Sequence, residues 1–349
     1  MGSGILEDDD TVTVSSFTES PKAKSKSNPK RLPTEAAVAS FGLTLSAEAP
    51  GLSPSAADVD VDVNVDNATD EELLGGEKHL LDPKVELDGV KNILKALSPE
   101  EKAQLSDTTM PIRHFRAEKG NTPKAIEKLR GALQWRKEFQ VQRLVNCTTS
   151  QDDTEFKEMM KVEDATGKVY VRGYTKEGRA ILYMDDSKSN TKNELHNMRH
   201  LTWNLERAIH STRRKSVEMT GKLLDKYCLA IDFTNFKLIT APSLRISKWT
   251  LNILQTQYPE RIYRIFLFHA PVSFRVFWNI VKPFLDPVTK EKVQFCTPGT
   301  ESWKKFEQEF TPHQRKRLEA CTGAAKPGKP FNSTEYVNLP LDLSFDDEY

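Results

Sequence analysis

Catalysis and ligation need donors, acceptors or nucleophiles at a fixed spacing, and this chain of 349 residues offers few such sets. His196 and His200 stand at i, i+4, as two zinc ligands of a hydrolase helix would, but Asn197 takes the place of the catalytic glutamate and no third ligand suggests itself. They read as surface histidines. Residues 323–329 spell GAAKPGK, which falls short of a phosphate-binding P-loop because Pro330 stands where serine or threonine must bind magnesium. Asp60, Asp62, Asn64 and Glu71 mimic calcium-loop positions, yet Val65 replaces the glycine of the sharp turn. Neither a G-x-S-x-G elbow nor a G-x-G-x-x-G turn occurs. Asp232, at the end of a buried strand, could serve an α/β enzyme, but no nucleophile, metal site or cofactor motif accompanies it, and no catalysis is expected.

A more promising set flanks an apolar stretch. Glu260 and Arg261 precede a buried run, Ile262 to Phe268, and Thr289 and Lys292 follow a helix that starts near Val272. From Val272 to Leu285 the polar side chains Arg275, Asn279 and Lys282 form one narrow stripe, with Ser273 the only other. The rest is apolar and includes Phe274, Phe277, Trp278, Val281 and Phe284. A helix packed on one core needs an apolar face of little more than ~100°. The surplus must be covered by a second protein layer, an apolar ligand or a membrane surface. Polar groups at both ends of such a helix are how a headgroup site beside an acyl-chain pocket would be built.

The elements that must position these groups follow from periodicity. Lys168 to Val171 and Arg179 to Met184 read as strands, joined by a hairpin signal at Lys176-Glu177-Gly178. A polar helix runs from about Lys192 to Ser211. Tyr227 to Phe233 is near-continuously apolar, as a strand buried on both faces requires. A helix from Pro242 lines up Ile246, Trp249 and Ile253, and its crossover to the strand ending at Phe268 makes the two strands parallel. Lys292 to Cys296 is the last short strand. Upstream, Val90, Ile93, Leu94 and Leu97 form a helical stripe, Ser98-Pro99-Glu100-Glu101 is a helix start, and Pro123 opens a helix carrying Ala125, Ile126, Leu129, Leu133 and Trp135.

The run Tyr258-Pro259-Glu260-Arg261, the strand after it, Ala270-Pro271, the aromatic-rich helix and Lys282 to Thr289 (KPFLDPVT) together resemble the CRAL-TRIO lipid-transfer family, in its phosphatidylinositol-transfer branch. Arg113 to Lys119 (RHFRAEK) and Leu133 to Glu138 (LQWRKE) resemble the family's N-terminal helical lobe. The resemblance implies an α/β fold with a mixed sheet as floor and an apolar gate helix, preceded by that lobe. It treats Asp232 as structural. It further implies that Glu260 accepts hydrogen bonds from inositol hydroxyls, while Thr289, Lys292, Arg261 and Lys119 hold the phosphate. Glu118 stands where the family usually has a second basic residue, and Tyr227 and Leu229 stand where choline-exchanging members have hydroxyls. In the alternative arrangement Glu260 and Lys292 pair with each other.

Composition sets the remaining bounds. Lys plus Arg and Asp plus Glu number 50 each, so net charge gives no argument for nucleic acid. Hydrophobic content is 38%, low for a fully globular chain, and residues 1–76 are Ser-, Pro- and Asp-rich without period, so a disordered tail is expected there. The lobe is expected over 77–145, the lipid-binding domain over 155–322 and a flexible tail over 323–349. Four well-separated cysteines suit reduced thiols in the cytosol. No apolar run reaches about 18 residues, so the expected protein is a cytoplasmic monomer that touches membranes transiently. Phosphatidylinositol is the leading ligand and lipid kinases are candidate partners. Carriage of a tocopherol-like, sterol or pigment ligand, or a non-lipid interaction module with a collapsed chamber, are the alternatives. Two acyl chains carry about 30 methylenes, whose exposure at ~0.8 kcal/mol each would cost roughly 25 kcal/mol. A gate that meets the membrane avoids that barrier.

Overall fold

The computed structural model describes residues 64–148, 153–188, 191–234, 236, 243–281, 287–321, 331–345 and 347. Five strands form one sheet in sequence order: β1 (Val169–Tyr174), β2 (Ala180–Met184), β3 (Tyr227–Asp232), β4 (Ile262–Phe268) and β5 (Val293–Cys296). β1 and β2 pair antiparallel through the expected hairpin, and β2 to β5 are parallel. The hairpin needs its glycine. Gly178 has φ +82°, and a Cβ there would lie 2.6 Å from the backbone of Lys215 and Ser216.

The β4–β5 register separates two apolar layers. Leu267 pairs with Phe295 and faces the gate helix Val272–Val281, whose Phe274 and Trp278 are buried against Phe233, Leu267 and Ala270. Phe274 and Trp278 lie 5.9 and 6.0 Å from the Phe295 ring. Phe266 and Phe268 point the other way, onto Phe306 of the helix Glu301–Glu309, at 5.5 and 5.4 Å. The side chains of Phe277 and Val281, and the whole of Phe284, lie outside the described residues.

The lobe is helical. Asp82 caps Pro83–Ala96, and Ser98 and Glu101 form a reciprocal capping box at Pro99–Ala103. Val90, Ile93, Leu94 and Leu97 pack on Phe115, Ala125, Leu129 and Leu133. The lobe begins earlier than expected. Residues 1–63 are outside the described set, but Val65 and Leu73 are buried in this core, and Thr69 caps the turn Asp70–Leu74.

Two further expectations are corrected. The helix after the hairpin runs Glu194–Thr220, and eight of its polar residues, His200, Thr202, Asn204, Glu206, Arg207, Ser211, Thr212 and Ser216, are buried. His200 is not a surface residue: it is fully buried with its Nε2 2.6 Å from Asp164. Asn204 beside it donates to the His200 carbonyl at 3.0 Å and accepts from the Tyr336 hydroxyl at 2.7 Å, so these polar groups find partners in the interior. The C-terminal segment is likewise no flexible tail over residues 331–345. Tyr336, Val337 and Phe345 are buried in the main core, and Arg207 donates to the carbonyls of Leu339, Pro340 and Leu343 at 2.8–3.1 Å. Phe345 bridges in parallel to Arg172 on β1. Phe331, Tyr336 and Phe345, spread over fifteen residues, carry no local period, which is why the segment reads as tail.

Candidate functional site at the amino ends of three parallel strands

Parallel strands start side by side, so residues just before them converge. Lys226 precedes β3, Glu260 and Arg261 precede β4, and Lys292 precedes β5. The register pairs Tyr227 with Ile262 and Ile265 with Val293. Lys226 Nζ donates to Glu260 Oε2 at 2.9 Å, and Lys292 Nζ lies 3.8 Å from the same oxygen. The three side chains are 10%, 20% and 22% exposed for Lys226, Glu260 and Lys292, so the cluster is sheltered but reachable.

Glu260 is unusual in its backbone. Its φ of +55° lies in the left-handed region that a non-glycine residue occupies only at a cost. That kink sends consecutive side chains apart, Glu260 to the open edge and Arg261 inward. Burial alone would push the Glu260 carboxyl up. Lys226, Lys292 and the more distant Arg116 outweigh it and hold the group below its ordinary range.

Arg261 is spent elsewhere. It is 2% exposed, pairs with Asp107, lies 3.1 Å from Asp225 Oδ2 and donates to the Asp225 carbonyl at 3.1 Å. Asp107 also receives Arg113 at 3.0 Å, and the Thr109 hydroxyl oxygen lies 2.6 Å from a carboxylate oxygen of each of Asp107 and Asp225. Burial opposes ionisation of Asp107, but Arg113, Arg261 and Arg213 together hold its carboxyl well below the usual range. This interior network joins the lobe to the sheet, and it removes Arg261 from the groups able to reach a ligand.

Lys119 is not brought to the cluster. It sits exposed in a left-handed turn after the helix Met110–Ala117, and among the described residues no hydrogen bond or ion pair joins it to Glu260, Lys226 or Lys292. Thr289 lies in the short helix Pro287–Lys292, three residues before Lys292, and its side chain is outside the described residues. Arg116 takes the lobe-side position near Glu260, while its guanidinium donates to Glu86 at 2.7 and 3.0 Å.

Lys226 was missed from sequence. A signal existed, because a lysine directly before a buried parallel strand must stand beside the residues that precede the neighbouring strands. Glu77 escaped as well. It accepts from the backbone N–H of Asp225 and Lys226 at 3.1 and 3.0 Å and from both terminal nitrogens of Arg179.

The mixed sheet, the apolar helix Val272–Val281 on one face and the charged cluster before its parallel strands define an α/β domain with a sheltered polar site. Residues 164–317 match the CRAL/TRIO domain family. It is similar to a CRAL-TRIO domain-containing protein of Schizosaccharomyces pombe, at 33% identity over 54% of this chain and 17% of that protein. The phosphatidylinositol transfer protein PDR17 of Saccharomyces cerevisiae is 31% identical over 63% of this chain and 59% of its own length. The SEC14 cytosolic factor of Yarrowia lipolytica is 29% identical over 54% and 38%. The chain thus spans less than two thirds of each of these relatives. The solved structure of Sfh5 aligns with TM-score 0.44 and 16% identity over 62% of this chain and 81% of that one. Among the described residues, no helix is long and apolar enough to cross a membrane.

Proposed function

We propose that this protein binds one phospholipid, with phosphatidylinositol as the leading ligand, and transfers it between membranes or presents it to a lipid-modifying enzyme. The observation that carries the reading is the convergence of Lys226 and Lys292 on Glu260 beside an apolar layer. An anionic phosphate leaving water needs cations, and a carboxylate suits a polyol because it only accepts. Acyl chains would lie under the gate helix, against Leu267, Phe295 and Phe274. Similarity to a phosphatidylinositol transfer protein supports the same ligand.

A second reading has an observation of its own. Glu260 already pairs with two lysines, and a cluster partnered from within would suit a carrier whose neutral apolar ligand leaves it untouched. Lipid identification separates the two. The protein is purified from cells, extracted with organic solvent and analysed by mass spectrometry, alongside Lys292→Ala. Phosphatidylinositol in the wild type and its selective loss in the variant are the expected result. A neutral lipid retained by both would sink the phospholipid reading, and an absence of lipid would favour an interaction module.

A further inference from the structure

The two lysines meet Glu260 at a single atom. The Lys226 Nζ donates to Oε2 at 2.9 Å and the Lys292 Nζ lies 3.8 Å from it, and the two come from segments that precede different strands. Two ammoniums sharing one oxygen is a geometry for any oxyanion, a phosphate oxygen as well as a carboxylate. Lys226 is also fixed at its backbone: its N–H donates to Glu77 at 3.0 Å and its carbonyl accepts from Arg179 at 3.0 Å, both within a buried pair. The carboxylate facing it is delivered by a left-handed residue, a conformation that costs of order 1–3 kcal/mol and clusters at ligand clamps.

We infer that Lys226 and Lys292 form a single oxyanion site for which the Glu260 carboxylate and the phosphate of an anionic phospholipid compete, and that Lys226 thereby selects anionic over zwitterionic lipids. The inference rests on reading this edge as a headgroup site. An anionic headgroup displaces the internal carboxylate and takes both lysines. A choline phospholipid brings its own cation beside its phosphate and gains less from the exchange. Glu260, once displaced, is left free to accept from headgroup hydroxyls.

The test loads the full-length protein from vesicles containing equal parts of phosphatidylinositol, phosphatidylserine and phosphatidylcholine, and measures retained lipid by mass spectrometry. Lys226→Met keeps the aliphatic stem and removes the charge. The ratio of anionic to choline lipid is expected to fall about ten- to hundredfold, the worth of one charge-assisted hydrogen bond, with partial recovery in Lys226→Arg. Glu260→Gln removes the competitor and is expected to raise retained phosphatidylserine. Circular dichroism and thermal melting establish that each variant is folded.

A folded Lys226→Met with the wild-type ratio would overturn the inference while leaving the headgroup reading intact. Loss of phosphatidylserine in Glu260→Gln would overturn the competition. Uptake of phosphatidylserine without phosphatidylinositol, still dependent on Lys226, would support the site and remove the phosphatidylinositol reading. Thermal stabilisation by inorganic phosphate alone, dependent on Lys226 and with no anionic lipid retained, would overturn the lipid as its source.

Discussion

Arg179 donates through two nitrogens to the two carboxylate oxygens of Glu77, at 2.6 and 3.0 Å, across 102 residues of sequence and with both side chains buried. The pair ties the start of the lobe to the hairpin, and the same carboxylate holds the backbone of Lys226. Glu77→Ala strands a buried guanidinium and is expected to cost about 3–5 kcal/mol in urea unfolding. Lys304→Ala, which removes an exposed i, i+3 partner of Glu301, should leave the urea midpoint where it is.

Acid sensitivity should come in two consecutive windows. Burial, together with the nearby Arg113 charge, lowers His114 from 6.5 to about 4. Its unfolded form therefore takes a proton first, and stability falls as pH drops from 6.5 towards 4. Burial would raise Glu86, but Arg116, His79 and the Leu80 amide outweigh it and bring the group from 4.5 to about 2. Its contribution is complete above 4.5 and disappears as pH falls through 2. Each shift corresponds to about 3 kcal/mol. Urea unfolding at a series of pH values should lose the upper slope in His114→Gln and the lower one in Glu86→Gln.

Two glycines should respond in opposite directions. Gly178→Ala forces a Cβ onto helix backbone at positive φ and is expected to destabilise by about 2–4 kcal/mol. Gly131, inside the helix Thr122–Glu138, has nothing within 4 Å of an added Cβ, so Gly131→Ala should stabilise by about 0.5–1 kcal/mol. Thermal melting of both variants reads the difference in sign.

The gate helix opens with Val272, 76% exposed. Under the proposed function this residue leads the contact with the bilayer. Val272→Glu is expected to slow lipid pick-up from vesicles several-fold, leaving the melting temperature and the lipid bound at equilibrium unchanged. Equal rates in both proteins would assign membrane contact to another surface.

Cys147, Cys228 and Cys296 are buried free thiols, each pushed up to about 12 by burial. Of the four cysteines in the chain, at most one should react with Ellman's reagent at pH 8 before denaturant is added.

What was legible in the sequence followed from short-range pattern. Tyr227 to Phe233 and Ile262 to Phe268 announced parallel strands by continuous apolar runs, and Ser98 to Glu101 announced a helix start by its capping residues. Glu260 and Lys292, whose charged groups lie 3.8 Å apart, stand out in the sequence as polar residues at the ends of an apolar stretch. Arg261 misled, because a guanidinium beside a glutamate looks the same whether it faces a ligand or a buried aspartate such as Asp107, 154 residues away. Lys226 and Glu77 draw their importance from register and from distant partners, which local spacing does not encode. Phe331, Tyr336 and Phe345 are anchors whose pockets are supplied by β1 and the helix Glu194–Thr220.

The strap formed by residues 331–345 has a further consequence. β1 is the outermost strand of the sheet, and the bond from the Phe345 N–H to the Val171 carbonyl, at 2.8 Å, together with that from the Val171 N–H to the Tyr336 hydroxyl, occupies part of its outer hydrogen-bonding edge. An uncovered edge is a template for another chain. The match to the family ends at residue 317, before the strap begins. A fragment cut there would keep Lys226, Glu260 and Lys292 and yet present β1 bare, so its failure is expected as self-association between copies.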